Sequence, residues 1–346
     1  MWATEAIERL DGEAAPTPLI DFPVPGLRLK DESAHPTGTL KHRLARALFR
    51  YGVACGRIRE DTVVVEATGG GSAVAQAYFA RLLGLRFVAV MPGDPSPERA
   101  APVEELGGEC RFVNPPLAIY DEARRLAEKL GGHFMDQFAW AERAIDWRSE
   151  GLAEELFAQV GAGRPADWVV VGAGTGATAA ALGRHIRLHG RTARLAVVDP
   201  ENSAYFPGWA YGVADYGTGM PSRIEGIGRP RLESGFVPSL YDLVVPVPDA
   251  ASVAAARLVR SVTGLPVGGS TGANLWGALE LVSRGHEVVT LVADAGPRYL
   301  RTVHDDGWAA GKGLAPRPYS AVLERFLTDG VWTGRDGVPG DPANDR

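Results

Sequence analysis

Apolar residues along the chain fall into two alternating patterns. Short continuous runs at 26–30, 62–66, 86–91, 168–171, 193–198 and 287–293 have the length and the Val, Leu and Ala content of strands. Between them, apolar positions return every three or four residues over 40–51, 73–83 and the stretches opening at Ala179 and Ala250, which predicts helices. Strand–helix alternation of this kind predicts an α/β fold with twisted, mainly parallel sheets covered by helices on both faces. Gly- and Pro-rich breaks at 91–97 and 161–165 interrupt the rhythm, the second between two strand–helix sets, so the main domain boundary is expected near residue 150. Residues 333–346 are rich in Gly, Pro and Asp with little apolar content and read as a mobile tail. No internal repeat is evident.

Composition narrows the function classes. At 346 residues the chain can bury two medium cores. A net charge of −6 offers no basic footprint for nucleic acid. Two cysteines, Cys55 and Cys110, are too few for a zinc cluster or a secreted disulfide framework and suit a reducing cytoplasm. The first eight residues lack the basic start and apolar core of a signal peptide. The longest apolar stretch, 168–183, is broken by Gly172, Gly174, Gly176, Gly183, Thr175 and Thr178 before it reaches membrane-spanning length. Seven histidines show no metal-ligand spacing, since His185 and His189 are helical neighbours without a third partner, and no metal is expected.

Four segments carry candidate chemistry. Lys41 follows a Pro-Thr-Gly turn at a helix start, where apolar neighbours and the helix dipole favour a neutral amine able to attack an aldehyde; alone, such a lysine also fits a solvated helix surface. The stretch 169–178 is a strand running into Gly172, Gly174 and Gly176 before an alanine-rich helix, a backbone arrangement that cradles phosphate, with Thr175 and Thr178 adding hydroxyls. A side chain at Gly176 is expected to block approach to that phosphate and to weaken ligand binding far more than folding. A second glycine-rich helix start, Thr68, Gly69, Gly70, Gly71 and Ser72, implies a second anion site, and the pair suggests a ligand with an anion at each end in a cleft between domains. Ser270 ends a strand at a fourth helix start, where it also fits a plain N-cap. The 172–177 stretch also matches a dinucleotide fingerprint, with Asp199 ending the next strand where a ribose-binding acid would sit.

Together these segments resemble the fold-type II pyridoxal-phosphate enzymes: cysteine synthases, cystathionine β-synthases and cysteine desulfhydrases. The resemblance spans residues 16–312 in the family's motif order. Thr17, Pro18 and Leu19, then Lys30, Asp31 and Glu32, then Pro36 to Lys41 are similar to the family's opening, which implies that Lys41 carries pyridoxal 5'-phosphate. The resemblance further implies that Gly174, Thr175, Gly176, Ala177 and Thr178 hold the cofactor phosphate. Ser270 would meet the pyridine nitrogen, and Gly71 would lie beside the cofactor. Thr68, Gly69, Gly70, Ser72, Gln137 and Gly226 would face the substrate. It implies a tryptophan synthase β-like, two-domain architecture: 12–43 plus 150–312 as cofactor domain, 44–149 as substrate-carboxylate domain and 313–346 as extension. A homodimer is also implied.

A neutral hydroxyl on the pyridine nitrogen weakens the ring as an electron sink and suits loss of a β-substituent better than transamination. One segment departs from the family pattern. Cysteine synthases carry Thr-Ser-Gly-Asn-Thr-Gly where this chain has Thr68-Gly-Gly-Gly-Ser-Ala73, so a serine and an asparagine donor are missing. With Lys41 as general base, the expected reaction is β-elimination from L-cysteine or a related β-substituted alanine, giving hydrogen sulfide, pyruvate and ammonia. The glycine loop, with fewer donors to clamp the substrate carboxylate, is expected to bias the enzyme towards elimination. The wording around residues 77–84, 205–209 and 224–231 is most similar to the bacterial cysteine desulfhydrase-type branch. The alternatives are β-replacement, forming cysteine or a nonstandard amino acid, and a relative that binds pyridoxal phosphate or an amino acid without turnover.

Overall fold

The computed structural model describes residues 1–148, 151–161, 163–220 and 222–337. In chain order the strands are β1 (Leu19–Asp21), β2 (Leu27–Asp31), β3 (Val64–Ala67), β4 (Phe87–Pro92), β5 (Glu109–Val113), β6 (His133–Phe134), β7 (Trp168–Gly172), β8 (Arg194–Pro200), β9 (Leu243–Val247) and β10 (Val288–Val292). They form a six-stranded sheet, β1-β2-β10-β7-β8-β9, and a four-stranded sheet, β5-β4-β3-β6. Every neighbouring pair is parallel except β1 with β2. The chain divides into two compact units, Met1–Pro16 with Ala34–Asp146, and Thr17–Ser33 with Trp147–Arg346.

In the second unit β10 is one of the two central strands, with Val288 opposite Leu27 on one side and Trp168 on the other. Its five residues are all buried, which explains why the sequence shows a continuous apolar run there and no alternation. Thr290, the polar member, donates its hydroxyl to the Val170 carbonyl at 2.8 Å. Helices Asp249–Thr263 and Gly269–Val282 contribute Val253, Ala256, Leu275 and Trp276 to the core. Residues beyond 312 join it as well. Helix Pro316–Asp329 buries Tyr319, Val322, Leu323 and Phe326, and the Trp276 ring meets those of Tyr319 and Trp332 at 5.6 and 4.8 Å. Of the expected tail, 338–346 lies outside the described residues.

In the first unit, Val65 and Ala67 of β3 and Val88 and Val90 of β4 pack against Ile119, Ala123, Leu126 and Ala127 of helix Ile119–Leu130. That spacing is one face of a 3.6-residue helix. Helices Lys41–Ala54 and Gly71–Leu83 pack on each other through Phe49 and Phe79, whose rings are 6.2 Å apart. Residues 12–16 and 34–43 lie in the first unit, whereas the sequence reading groups them with the cofactor domain. Among the described residues no helix is long and apolar enough to cross a membrane.

Candidate active site

Lys41 is the first residue of helix Lys41–Ala54, and its backbone N–H donates to Thr39 Oγ1 at 3.2 Å. The other lysine of the opening motif has a different role. Lys30 is fully buried in the second unit, where its ammonium donates to the Thr17 carbonyl at 2.6 Å and Gln159 Oε1 at 2.7 Å and pairs with Glu155. Thr17 in turn donates to Glu32 Oε1 at 2.6 Å. Lys30 and Glu32 therefore tie the strand β2 region together, and Lys41 is the lysine of this motif left at a helix start.

Beside Thr39 lies the glycine loop. A Cβ on Gly71 would approach Thr39 Oγ1 to 3.2 Å and Cγ2 to 3.4 Å, so the Thr39 side chain fills the space next to that glycine. Thr68 N–H donates to the Val90 carbonyl at 3.0 Å, which fixes the loop start to β4. Ser72 Oγ donates to Gln137 Oε1 at 2.8 Å, and both residues are buried. Gln137 opens helix Gln137–Ala144 behind Asp136, whose φ of 46° and side-chain bond to Ala139 N–H cap that helix. The structure thus brings Thr68, Gly69, Gly70, Gly71, Ser72 and Gln137 together in the first unit.

Sequence reasoning missed two residues here. Glu66, at the end of β3, is buried and accepts from Ala67 N–H at 2.8 Å, Gln76 Nε2 at 2.9 Å and Gln137 N–H at 3.1 Å. Burial pushes its carboxyl up to about 8, against those three donors, which favour the carboxylate. Arg99, on helix Pro97–Glu104, lays its guanidinium over Gly69: a Cβ there would run into Nη2 and come to 3.0 Å from Pro92 Cδ. No sequence signal links Gly69 to a residue thirty positions on.

The second unit holds the other glycine loop. β7 runs through Gly174 and Thr175 to Gly176, which has φ 81° and precedes helix Ala177–Leu188. The loop is braced from behind. A Cβ on Gly174 would run into the Gly226 carbonyl, and one on Gly176 into the backbone of Gly235. Tyr205 donates to the Gly174 carbonyl at 2.6 Å while stacked on Phe236 at 4.0 Å, and Gly228 N–H donates to the Ala173 carbonyl at 2.9 Å. The Cβ direction at Gly176 therefore faces protein backbone, so a side chain there burdens folding as well as any ligand approach.

Ser270 is the second residue of helix Gly269–Val282, 3% exposed, and its hydroxyl has no partner among the described residues. The dinucleotide alternative fails at Asp199. That carboxyl is 1% exposed, accepts from Phe206 N–H at 2.7 Å and is pushed by burial up to about 7, so it is not available to a ribose.

The donors suit pyridoxal phosphate. Backbone N–H groups of Thr175 and Gly176 meet no acceptor among the described residues, and Thr178 sits in the first turn of the helix behind them, where helix-start donors bind a phosphate dianion. In the same unit, the unpartnered Ser270 hydroxyl matches a pyridine nitrogen.

Comparison with known proteins agrees. A family model described as pyridoxal-phosphate dependent enzyme matches residues 10–294. The L-cysteine desulfhydrase of Mycobacterium tuberculosis is 48% identical over 96% of this chain and 96% of its own. Among solved structures, an O-ureido-L-serine synthase superposes with TM-score 0.75 at 27% identity, covering 87% of this chain and 98% of that one. The O-acetylserine dependent cystathionine β-synthase of Helicobacter pylori superposes with TM-score 0.71 at 26% identity, covering 85% and 97%. The two sheets and their helices are those of fold-type II, and the chain belongs to the family of pyridoxal-phosphate dependent enzymes.

Proposed function

We propose that the protein is a carbon–sulfur lyase that converts L-cysteine and water to hydrogen sulfide, pyruvate and ammonia. The observation that carries this reading is the likeness to the mycobacterial desulfhydrase along nearly the whole of both chains. Bound pyridoxal phosphate supplies an electron sink conjugated to the substrate α-carbon. Lys41 would hold the cofactor through its amine, and the same amine, when free, would take the substrate α-proton as general base. Residues 174–178 hold the phosphate through Gly174, Thr175, Gly176, Ala177 and Thr178, and Ser270 bonds the pyridine nitrogen through a neutral hydroxyl. Gly71 lies beside the cofactor. Thr68, Gly69, Gly70, Ser72 and Gln137 bind the substrate carboxylate, and Gly226 faces the substrate.

Two free cysteines, Cys55 exposed and Cys110 half-buried, suit action in a reducing cytoplasm. The family resemblance supports a homodimer. A second reading is β-replacement, favoured by the synthase names of the two solved structures. Incubating the holoenzyme with L-cysteine alone, and with O-acetylserine with and without excess sulfide, separates the two. Sulfide and pyruvate released in equal amounts from cysteine support the lyase. Near-complete capture of O-acetylserine by sulfide, with little pyruvate from cysteine, overturns it in favour of the synthase.

A further inference from the structure

The glycine at position 69 stands where the resembled synthases carry a serine donor, and the structure shows what occupies the vacated space. Arg99 Nη2 lies where a Gly69 side chain would start. The guanidinium is held in place from two sides. Its Nη1 donates to the Pro92 carbonyl at 2.8 Å, and its carbon stands 5.5 Å from the Phe112 ring centroid. Half-buried, it has no carboxylate partner among the described residues, and Nη1 to Pro92 is its one hydrogen bond to them. A charged donor fork is therefore anchored over the loop start with Nη2 and Nε left to bind something else.

We propose that Arg99 is a specificity-determining residue that binds the α-carboxylate of the amino-acid substrate, taking over from the side-chain donor lost at Gly69. The proposal rests on the reading of the 68–72 loop as a carboxylate site. A guanidinium is the side chain best matched to a carboxylate, because its planar fork offers two parallel donors and its charge is permanent. Gly69 and Arg99 are then one device: a residue without a side chain leaves the fork in the place it occupies. The loop is not simply poorer in donors than its relatives. It exchanges a neutral hydroxyl for a cation, which strengthens recognition of the carboxylate and removes a reason to expect loose binding.

The test compares each amino acid with its methyl ester, which removes the negative charge and leaves the amine. The holoenzyme is titrated with L-serine, L-alanine and their methyl esters, following the cofactor absorbance. The parent is expected to prefer the acids, and Arg99→Ala to lose roughly ten- to hundredfold of that preference with ester binding little changed. Arg99→Gln keeps a polar side chain and drops the charge, so it reads the same effect should the alanine variant fold poorly. Adding Gly69→Ser to Arg99→Ala should restore part of the acid preference. An unchanged acid-to-ester ratio in Arg99→Gln, or no preference for acids in the parent, overturns the proposal, because a merely structural arginine would weaken acid and ester alike. Pyruvate formation from cysteine by the parent reads the lyase assignment separately: its absence sinks that assignment while the ratio still reports on Arg99.

Discussion

Ser72 Oγ donates to Gln137 Oε1 at 2.8 Å across 65 positions of sequence. An amide whose oxygen is occupied this way keeps its nitrogen as a donor, so Gln137 Nε2 is the end left for a further partner. The Gln137 N–H is meanwhile held by Glu66 Oε2 at 3.1 Å. Backbone and side chain of the glutamine are thus fixed independently, one by the end of β3 and one by the first turn of helix Gly71–Leu83. Preorganisation of this kind lowers the entropy cost of binding an anion.

If Gln137 donates to the substrate carboxylate, Gln137→Glu faces it with a second anion and should raise KM for L-cysteine by about ten- to hundredfold. Ser72→Ala leaves the amide free to rotate and should raise KM by about three- to tenfold with kcat little changed. Steady-state kinetics on the holoenzyme check both. An unchanged KM in Ser72→Ala would mean that the hydroxyl does not orient the amide.

Glu66 gives the first unit a pH-dependent stability term. Its carboxyl is raised from an ordinary 4.5 to about 8 by burial, so between these values the folded protein keeps a proton that the unfolded chain has lost. That contribution is fully present below pH 4.5 and disappears as pH rises through 8. Measured against Glu66→Gln, which cannot ionise, the parent should lose on the order of 3 kcal/mol of relative stability across this window. Urea unfolding of both proteins at several pH values checks the slope. A difference that stays flat from pH 4.5 to 8 would show the carboxylate ionised throughout, satisfied by its three donors.

What was legible in the sequence is what is written locally. Lys41 and the 174–178 loop announce themselves because a turn, a helix start and small residues lie within a few positions of one another. The central strands are legible because burial on both faces leaves continuous apolar runs at 168–171 and 287–293. Glu66 and Arg99 were not, since their roles depend on Gln137 and Gly69, which are remote in sequence and linked by no periodicity. The chain records the missing serine at 69 and not the guanidinium that lies where a Gly69 side chain would start. Strands β1 and β6, of three and two residues, are too short to carry any pattern. The docking of helix Pro316–Asp329 on Trp276 is likewise a tertiary fact, so residues beyond 312 read as an extension although they complete a core.

Gly176 answers to folding. Its φ of 81° is left-handed, and an added Cβ would meet the backbone of Gly235, which cannot give as a flexible side chain would. Gly176→Ala should therefore cost about 2 kcal/mol or more in urea unfolding of the cofactor-free protein. Thr178→Val, which removes a hydroxyl in the first helical turn without touching that backbone, should leave the unfolding midpoint nearly unchanged and weaken pyridoxal phosphate binding by roughly three- to thirtyfold. Equal stability of Gly176→Ala and the parent would contradict the packing of the loop against 235. Unaltered cofactor affinity in Thr178→Val would place the phosphate away from that hydroxyl.

Lys41 supports two separable expectations, because carrying the cofactor and moving the α-proton are different tasks for one amine. The purified protein should be yellow, with a borohydride-reducible link that peptide mass mapping places at Lys41. Lys41→Ala should lose that link entirely, yet still bind pyridoxal phosphate through the 174–178 donors, since these lie in the other compact unit and their hydrogen bonds do not involve the lysine. Turnover in the variant should fall by at least about 10²- to 10⁴-fold, the scale of a lost general base, and adding a small free amine should recover the covalent exchange before it recovers elimination. Lys30 provides the control. Buried against Glu155, Gln159 and Thr17, it is committed to an internal ion pair, so Lys30→Ala should destabilise the second unit by about 3 kcal/mol while leaving the reducible link in place. A link that survives in Lys41→Ala and vanishes in Lys30→Ala would reverse the two assignments.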